Sequence, residues 1–514
     1  MSERSFGANA VLTAVGWVIP AIAALVAVPI TVRGLGADTF GLLALVTALS
    51  GYLSLLDLGL GTAIVRYLAY HCARNEGRTM LQILRVAALW FSVIGFLGGL
   101  IMVTQAPALA GIIGVSGDLE PVAVTVVRLA GVSFFLGMLM SAGTAIPQAF
   151  LRYDLAAAVS GIIGTASAVG PAVLVATGHG IVAVVVFSII TNLVALILYA
   201  VIAVVLFRGV SLRSGPTWKE IRRVVLRFTG MTALTRVHSA IAAQTNRLLV
   251  GVAGGAAAMA YYQVPNLLSS KVNELLSRVG QVILPTGTQR IADQNDEGTR
   301  SLYLRTSRLF FVLNASISVA VCAFAKPLLS TWVSPQFAEK GALALVIFTL
   351  AQGVNAASMS ASYVNLAYER PGVNLVFSAL NSVLNLATVV PLVMAYGISG
   401  AASAGLVGSA MVPAFLVYSD RRVIHVSSLV VLRACYLPSI LGSSVVGLLA
   451  YRFLAPQAES LVVVVGLVLF TALAATCVSG LLGAVKRDDV QLGRAILRRA
   501  LGRDRAKRVS GGDA

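Results

Sequence analysis

The chain has 514 residues, of which 58% are hydrophobic and only 11% charged, with a mean hydropathy of +0.89. Soluble domains carry about 25% charged residues, so this composition excludes a cytosolic enzyme, a secreted disulfide scaffold and a disordered chain. The net charge of +18 would point to nucleic acid in a soluble protein. In a membrane protein it points to basic cytoplasmic loops and suits an anionic substrate.

Apolar runs long enough to cross a bilayer as helices recur along the whole chain. They predict fourteen helices, at 9–31, 41–64, 80–104, 121–146, 155–177, 180–207, 229–254, 256–285, 306–328, 341–365, 372–395, 398–419, 433–454 and 460–483. The first apolar run is too long for a signal-peptide core and reads as the first span. It breaks before the second at Arg33-Gly-Leu-Gly-Ala-Asp38, a turn by its glycines. The longest connections, near 105–120, 208–228 and 286–305, are too short to hold a folded domain.

Placing the N-terminus inside puts twenty-eight basic residues on inner segments and four on outer ones, Arg33, Lys326, Lys340 and Arg452. That bias predicts a multi-pass protein with both termini in the cytoplasm. The tail, with Arg498, Arg499, Arg503, Arg505, Lys507 and Arg508, is expected to lie on anionic headgroups rather than on nucleic acid.

Landmarks recur at a shift near 220 residues. Arg152, Pro171 and Gly180 of the first half match Arg370, Pro391 and Gly397 of the second, and Arg78 matches Arg300. A shift of six helices preserves orientation, so the repeat is parallel. The fold predicted is all-α and integral to the membrane, with about fourteen spans: two pseudo-symmetric six-helix lobes plus two C-terminal helices. The segments are an N-lobe at 1–207, a cytoplasmic linker at 208–228, a C-lobe at 229–420, two further helices at 421–483 and a basic cytoplasmic tail at 484–514.

Catalytic motifs do not stand out. The chain has no GxxxxGK[ST] loop, HExxH or GxSxG. Cys72, Cys322, Cys435 and Cys477 are too far apart for a zinc or CxxC site and read as apolar residues. The nearest acidic pair on an outer loop, Asp118 and Glu120, reads as a solvated turn. Neither a catalytic site nor a cofactor or metal is expected, and no nucleic-acid partner.

Chemistry is concentrated in the charges inside the spans. These are Arg85, Arg128, Arg236, Arg247, Lys271 and Arg278, with Asp57 and Glu274 as the acidic members. An ionisable side chain at the centre of a span costs at least roughly 2.5–3.5 kcal/mol and normally faces a bundle interior or a water-filled cavity. Arg85 and Arg128 sit near helix ends and read as anchors. Lys271, Glu274 and Arg278 share one helical face, extended by Gln263 and Gln281, with Leu268, Val272, Leu276 and Val279 opposite. The stripe either lines an aqueous cavity or is a structural Lys–Glu–Arg pairing. Arg236 and Arg247 lie three turns apart on one side of their helix, where each binds substrate or snorkels to an interface. Asp57 either pairs with a basic residue or carries a coupling proton. The excess of cations favours an anion, since Arg grips phosphate bidentately and Lys acts as a point charge.

Two stretches carry a family resemblance. Pro29-Ile-Thr-Val-Arg-Gly-Leu-Gly-Ala-Asp-Thr-Phe-Gly41, with Asp57-Leu-Gly-Leu-Gly-Thr-Ala63, resembles the opening of bacterial O-antigen and polysaccharide flippases of the multidrug/oligosaccharidyl-lipid/polysaccharide exporter superfamily. Asn246-Arg-Leu-Leu-Val-Gly251 with Ala260-Tyr-Tyr262 resembles the segment opening their second half. The resemblance covers nearly the whole chain in layout, with loose residue-level motifs. It implies two six-helix lobes around a central cavity open alternately to either face. It also implies a bacterial inner-membrane location, a polyprenyl-pyrophosphate-linked oligosaccharide as cargo, contact with membrane lipids, and other polysaccharide-assembly membrane proteins as partners. In such folds the first, second, seventh and eighth helices face the cavity, which nominates Asp57, Arg236, Arg247, Lys271, Glu274 and Arg278 as cargo contacts. Family members often carry an acidic residue just before the second stretch, where this chain has Thr245, so an ion-coupling role there is in doubt. The helix 1–2 pattern of the peptidoglycan-precursor flippases is absent. The alternatives are an ion-coupled multidrug antiporter of the same superfamily, or a membrane glycan polymerase or ligase.

The charge bias makes a direct prediction. An alkaline phosphatase reporter fused after residue 118 should be active, and one fused after residue 215 inactive; the reverse pattern would invert the topology.

Overall fold

The computed structural model describes residues 6–57, 60–113, 117–208, 218–280, 291 and 296–484. Among these residues there is no strand. Eleven helical stretches are long and apolar enough to cross a membrane. Three of them, Val18–Asp57, Ile241–Lys271 and Pro371–Ile424, are broken inside by one glycine with non-helical backbone, Gly36, Gly255 and Gly397. Counting each broken stretch as two gives the fourteen spans that the apolar runs predict.

In chain order the first half comprises α1 (Phe6–Leu53), a 3-10 turn (Ser54–Asp57), α2 (Leu60–Ala73), α3 (Gly77–Thr104), a short α4 (Ala106–Ile112), α5 (Glu120–Ala149), α6 (Tyr153–Ala176) and α7 (Ile181–Phe207). α8 (Trp218–Gly280) follows. Next come α9 (Asp296–Ala323), a short α10 (Ala325–Trp332), α11 (Pro335–Ala357), α12 (Met359–Ala367), α13 (Pro371–Gly408) and α14 (Met411–Ser419). The last two spans are Ser428–Gln457 and Leu461–Ala484.

The backbone supports the repeat at the level of single dihedrals. Gly36 (φ 78°, ψ 166°) and Gly255 (φ 77°, ψ −179°) share one conformation, 219 residues apart. That region is essentially closed to residues with a β-carbon. Nothing lies within 4 Å of a Cβ built at either position, so the dihedral and not crowding demands glycine. Leu151 and Glu369, 218 apart, both adopt φ 56°. Each closes its helix with the same pair of bonds. Leu151 N–H reaches Gln148 O (3.0 Å) and Arg152 N–H reaches Pro147 O (2.8 Å), while Glu369 N–H reaches Leu366 O (3.1 Å) and Arg370 N–H reaches Asn365 O (2.9 Å). This is the Schellman closure, which satisfies the orphan carbonyls at a helix end. The arginines that follow tie the loops down. Arg152 grips Asp154 with two bonds of 3.0 Å, which hold its guanidinium pKa above the usual arginine value. Arg370 donates to Arg422 O at 3.3 Å.

The chain folds as two compact units, Met1–Ala260 and Tyr261–Ala514. Within the first, small residues let helices approach, as expected where lipid gives no hydrophobic drive between them. A Cβ on either Gly99 (α3) or Gly131 (α5) would lie 2.8 Å from the other's carbonyl oxygen. Within the second unit, a core of Leu302, Tyr303, Phe310, Phe415, Ile424 and Tyr436 gathers around the start of α9. Tyr303, fully buried, donates its hydroxyl to Asp420 Oδ1 at 2.6 Å, and Asp420 is 1% exposed.

The start of α9 differs from the predicted helix at 306–328. It begins at Asp296, so Arg300 and Arg305, which the sequence assigns to an inner connection, lie on the helix together with Arg308. A hydropathy reading ends a helix where the apolar run ends. The backbone bonds continue past that point, and Arg308 is buried at 6% exposure.

The glycine break and the buried tyrosine can each be tested by stability. Gly255→Ala should destabilise the purified protein by about 1–3 kcal/mol, read as a lowered melting temperature in detergent. Gly61→Ala, at a helical glycine with open space around its Cβ, should change little. Tyr303→Phe removes a buried bond to a carboxyl group and should cost about 1.5–3 kcal/mol, read the same way.

Candidate functional site

The charged residues nominated from sequence divide between the units: Asp57, Arg236 and Arg247 lie in the first, and Lys271, Glu274 and Arg278 in the second. In the first unit α1 packs along the first segment of α8. A Cβ on Gly41 would lie 1.6 Å from Ala256 O, one on Gly251 2.2 Å from Leu45 Cδ2, and one on Gly51 2.4 Å from Gln244 Nε2. Residue numbers rise on α1 as they fall on α8, so the pairing is antiparallel. Tyr52 and Thr245 hydroxyls bond each other at the end of this seam.

The next turn of α8 is polar. Asn246 is 7% exposed, and its Oδ1 accepts no hydrogen bond among the described residues. Arg247 is half-buried and donates from Nη1 to Gln244 Oε1 at 3.4 Å. Its Nε is buried without a hydrogen-bond partner among the described residues. Among those residues no carboxylate oxygen lies within 4.0 Å of Arg247. Asp57 closes the 3-10 turn Ser54–Asp57 and is half-buried. Arg236 lies on α8, but its side chain is outside the described residues.

The second unit holds an ion pair. Lys271 Nζ lies 2.9 Å from Glu274 Oε2, with side-chain exposures of 29% and 36%. The pairing drawn from the i, i+3 spacing is present, and one cation of the stripe is thereby neutralised. Arg278 lies on the helical backbone of α8, with its side chain outside the described residues, as is Gln281. Leu268, on the apolar side of the stripe, packs against a core of Ala323, Phe324, Leu328 and Val464. Off the stripe, Asn273 donates to Gln352 Oε1 of α11 at 3.2 Å. Gln263 Oε1 is buried with no hydrogen-bond partner among the described residues.

A further polar cluster escapes a reading based on charge. Asn355, Ser358, Ser362, Asn374, Ser378 and Asn381 line a cavity of about 110 Å³ beside Phe377 and Phe415. Asn381 donates to Asn355 Oδ1 (3.5 Å), Asn355 to Ser409 Oγ (3.0 Å) and Asn374 to Ser362 O (3.0 Å). The helices break beside it, α11 giving way to α12 at Ser358 and α13 to α14 at Ser409–Ala410. The signal in the sequence was the density of asparagine in otherwise apolar spans, at 355, 365, 374, 381 and 385.

Known proteins extend these observations. A Shigella flexneri protein whose name describes it as an O-antigen transporter is 21% identical over 279 residues. The match covers 54% of this chain and 65% of that relative, just under two thirds of its length. Among solved structures, the lipid II flippase MurJ in an inward closed conformation superposes with a TM-score of 0.72 at 13% identity, covering 90% of this chain and 98% of that one. An inward-facing multidrug resistance transporter of the MATE family superposes with a TM-score of 0.64 at 16% identity, covering 80% and 98%. At these identities the likeness is one of fold: that of MOP-superfamily membrane transporters. Residues 30–342, more than half of the chain, match the family model described as polysaccharide biosynthesis protein, and the chain belongs to that family.

Proposed function

We propose that this protein is a flippase. It moves a polyprenyl-pyrophosphate-linked oligosaccharide from the inner to the outer face of the bacterial cytoplasmic membrane by alternating access, for surface polysaccharide synthesis. Both termini lie in the cytoplasm in this reading, with lobes at 1–207 and 229–420. The O-antigen transporter relative and the lipid II flippase fold support it.

The observation that carries the reading is Arg247. A guanidinium in a span is normally matched by a carboxylate. Arg247 has an amide neighbour, Gln244, and no carboxylate within 4.0 Å among the described residues. A half-buried guanidinium whose buried Nε–H is unpaired among the described residues offers the planar fork that suits a phosphate oxygen pair. The pyrophosphate of the cargo supplies that anion when it arrives. Arg236, Lys271 and Arg278 add positive charge to the path, while Glu274 offsets Lys271. Asp57 carries a proton or pairs with a cation during the cycle. The unpartnered amide oxygens of Asn246 and Gln263 accept hydroxyl groups of the sugar. Contact with other polysaccharide-assembly membrane proteins belongs to the same reading. A cationic drug is the wrong charge for Arg247, which sets the multidrug reading second.

Deleting the gene in its host should trap lipid-linked oligosaccharide on the cytoplasmic face and abolish surface glycan. Re-expressed Arg247→Gln should restore roughly a tenth of export or less, and Arg247→Lys more than that. Lys271→Gln with Arg278→Gln should lose export while inserting normally. Precursor reaching the outer face at the wild-type rate in the deletion strain would overturn the proposal. Full export by both neutralised variants would remove the charge argument.

A further inference from the structure

The second unit carries a pocket at the ends of its helices opposite Arg300, Arg370, Arg421 and Arg422. It has a volume of about 440 Å³ and is lined by the end of α9 (Cys322), the start of α10 (Lys326), α11 (Leu343, Val346) and the end of the Ser428–Gln457 span (Tyr451, Arg452). Leu343 is 60% exposed and Tyr451 64%. In a chain of spanning helices such exposure marks a lipid-facing wall, and tyrosine is a residue of the headgroup level.

Lys326 and Arg452 are the charged residues of the lining, and both are exposed. No carboxylate oxygen lies within 4.0 Å of either among the described residues. The sequence places only four basic residues on this side, and two of them stand in this one pocket. Topology disfavours positive charge here, so membrane insertion does not account for the pair. The start of α10, Ala325 to Pro327, also lines the pocket, adding the partial positive charge of a helix N-terminus. Two cations and a helix start above an apolar wall match a phosphate joined to an acyl chain.

We propose that this pocket binds an anionic phospholipid of the leaflet opposite the arginine-rich loops. Its phosphate sits between Lys326 and Arg452, and an acyl chain lies along Leu343 and Val346. The site opens to lipid, where phospholipid greatly outnumbers any cargo, so mass action favours phospholipid as the occupant. The site is independent of the flippase reading.

The test is native mass spectrometry of the full-length protein in detergent, with added phosphatidylglycerol or phosphatidylcholine. Phosphatidylglycerol should be retained at least about tenfold better. Lys326→Gln with Arg452→Gln should bring it down to the phosphatidylcholine level. The charge-preserving Lys326→Arg with Arg452→Lys should retain it, which separates lost binding from misfolding. Lys340→Gln serves as a neighbouring control, since Lys340 sits over the Tyr261 ring at 4.9 Å; it too should retain the lipid. Equal retention of the two lipids by the wild type, or full retention by the double glutamine variant, would overturn the proposal. Displacement of phosphatidylglycerol by equimolar inorganic phosphate would assign the site to a free anion and overturn the lipid assignment.

Discussion

Hydrocarbon offers no hydrogen bonds, and the rest of the structure follows from that constraint. Each backbone N–H and C=O must find a partner within its own helix or beside it. A span can therefore depart from helix only where a residue tolerates the departure and the freed groups are satisfied again. Gly36, Gly255 and Gly397 are departures of the first kind. The closures at Leu151 and Glu369 are of the second, where two bonds each retrieve the carbonyls a helix end leaves open. Side chains obey the same accounting. Lys271 has Glu274, Tyr303 has Asp420, and Asn273 has Gln352. The buried Nε of Arg247 and the amide oxygens of Asn246 and Gln263 are among the buried polar atoms that have no hydrogen-bond partner among the described residues.

Most of the fold was legible because membrane helices write their length in hydropathy. The predicted span pairs at 9–31 and 41–64, 229–254 and 256–285, and 372–395 and 398–419 each straddle one of the three glycine breaks. The 220-residue shift in landmarks reappears as matched dihedrals. The ends were harder to read. α9 starts ten residues before its apolar run because backbone bonding does not stop at the headgroups, and its arginines ride on helical turns. α4 forms in a stretch read as a connection, and α10 starts inside the predicted helix at 306–328, as a separate short helix after a break at Phe324.

One ion pair was legible from its spacing, and the amide pairs were not. An i, i+3 Lys–Glu spacing on a helix permits one contact, and that contact forms. Asparagine has no such signature, because its partner sits on another helix and only the fold brings them together. Asn355 meets Ser409 from 54 positions away, and Asn273 meets Gln352 across 79. A sequence reading weighted by formal charge passes over these residues, although a buried amide without a partner is nearly as demanding as a paired ion.

The matched breaks at Gly36 and Gly255 bear on how this gene can vary. Any single-base change in a glycine codon that encodes a different amino acid introduces a β-carbon. At these two positions the obstacle is the dihedral itself, with open space around it, so no nearby side chain can be trimmed to compensate. Ordinary packing glycines can be replaced if a neighbour shrinks in step. Gly36 and Gly255 have no such second-site remedy, and the same obstacle recurs 219 residues apart. Drift that erases the resemblance between their flanking segments would leave these two codons in place.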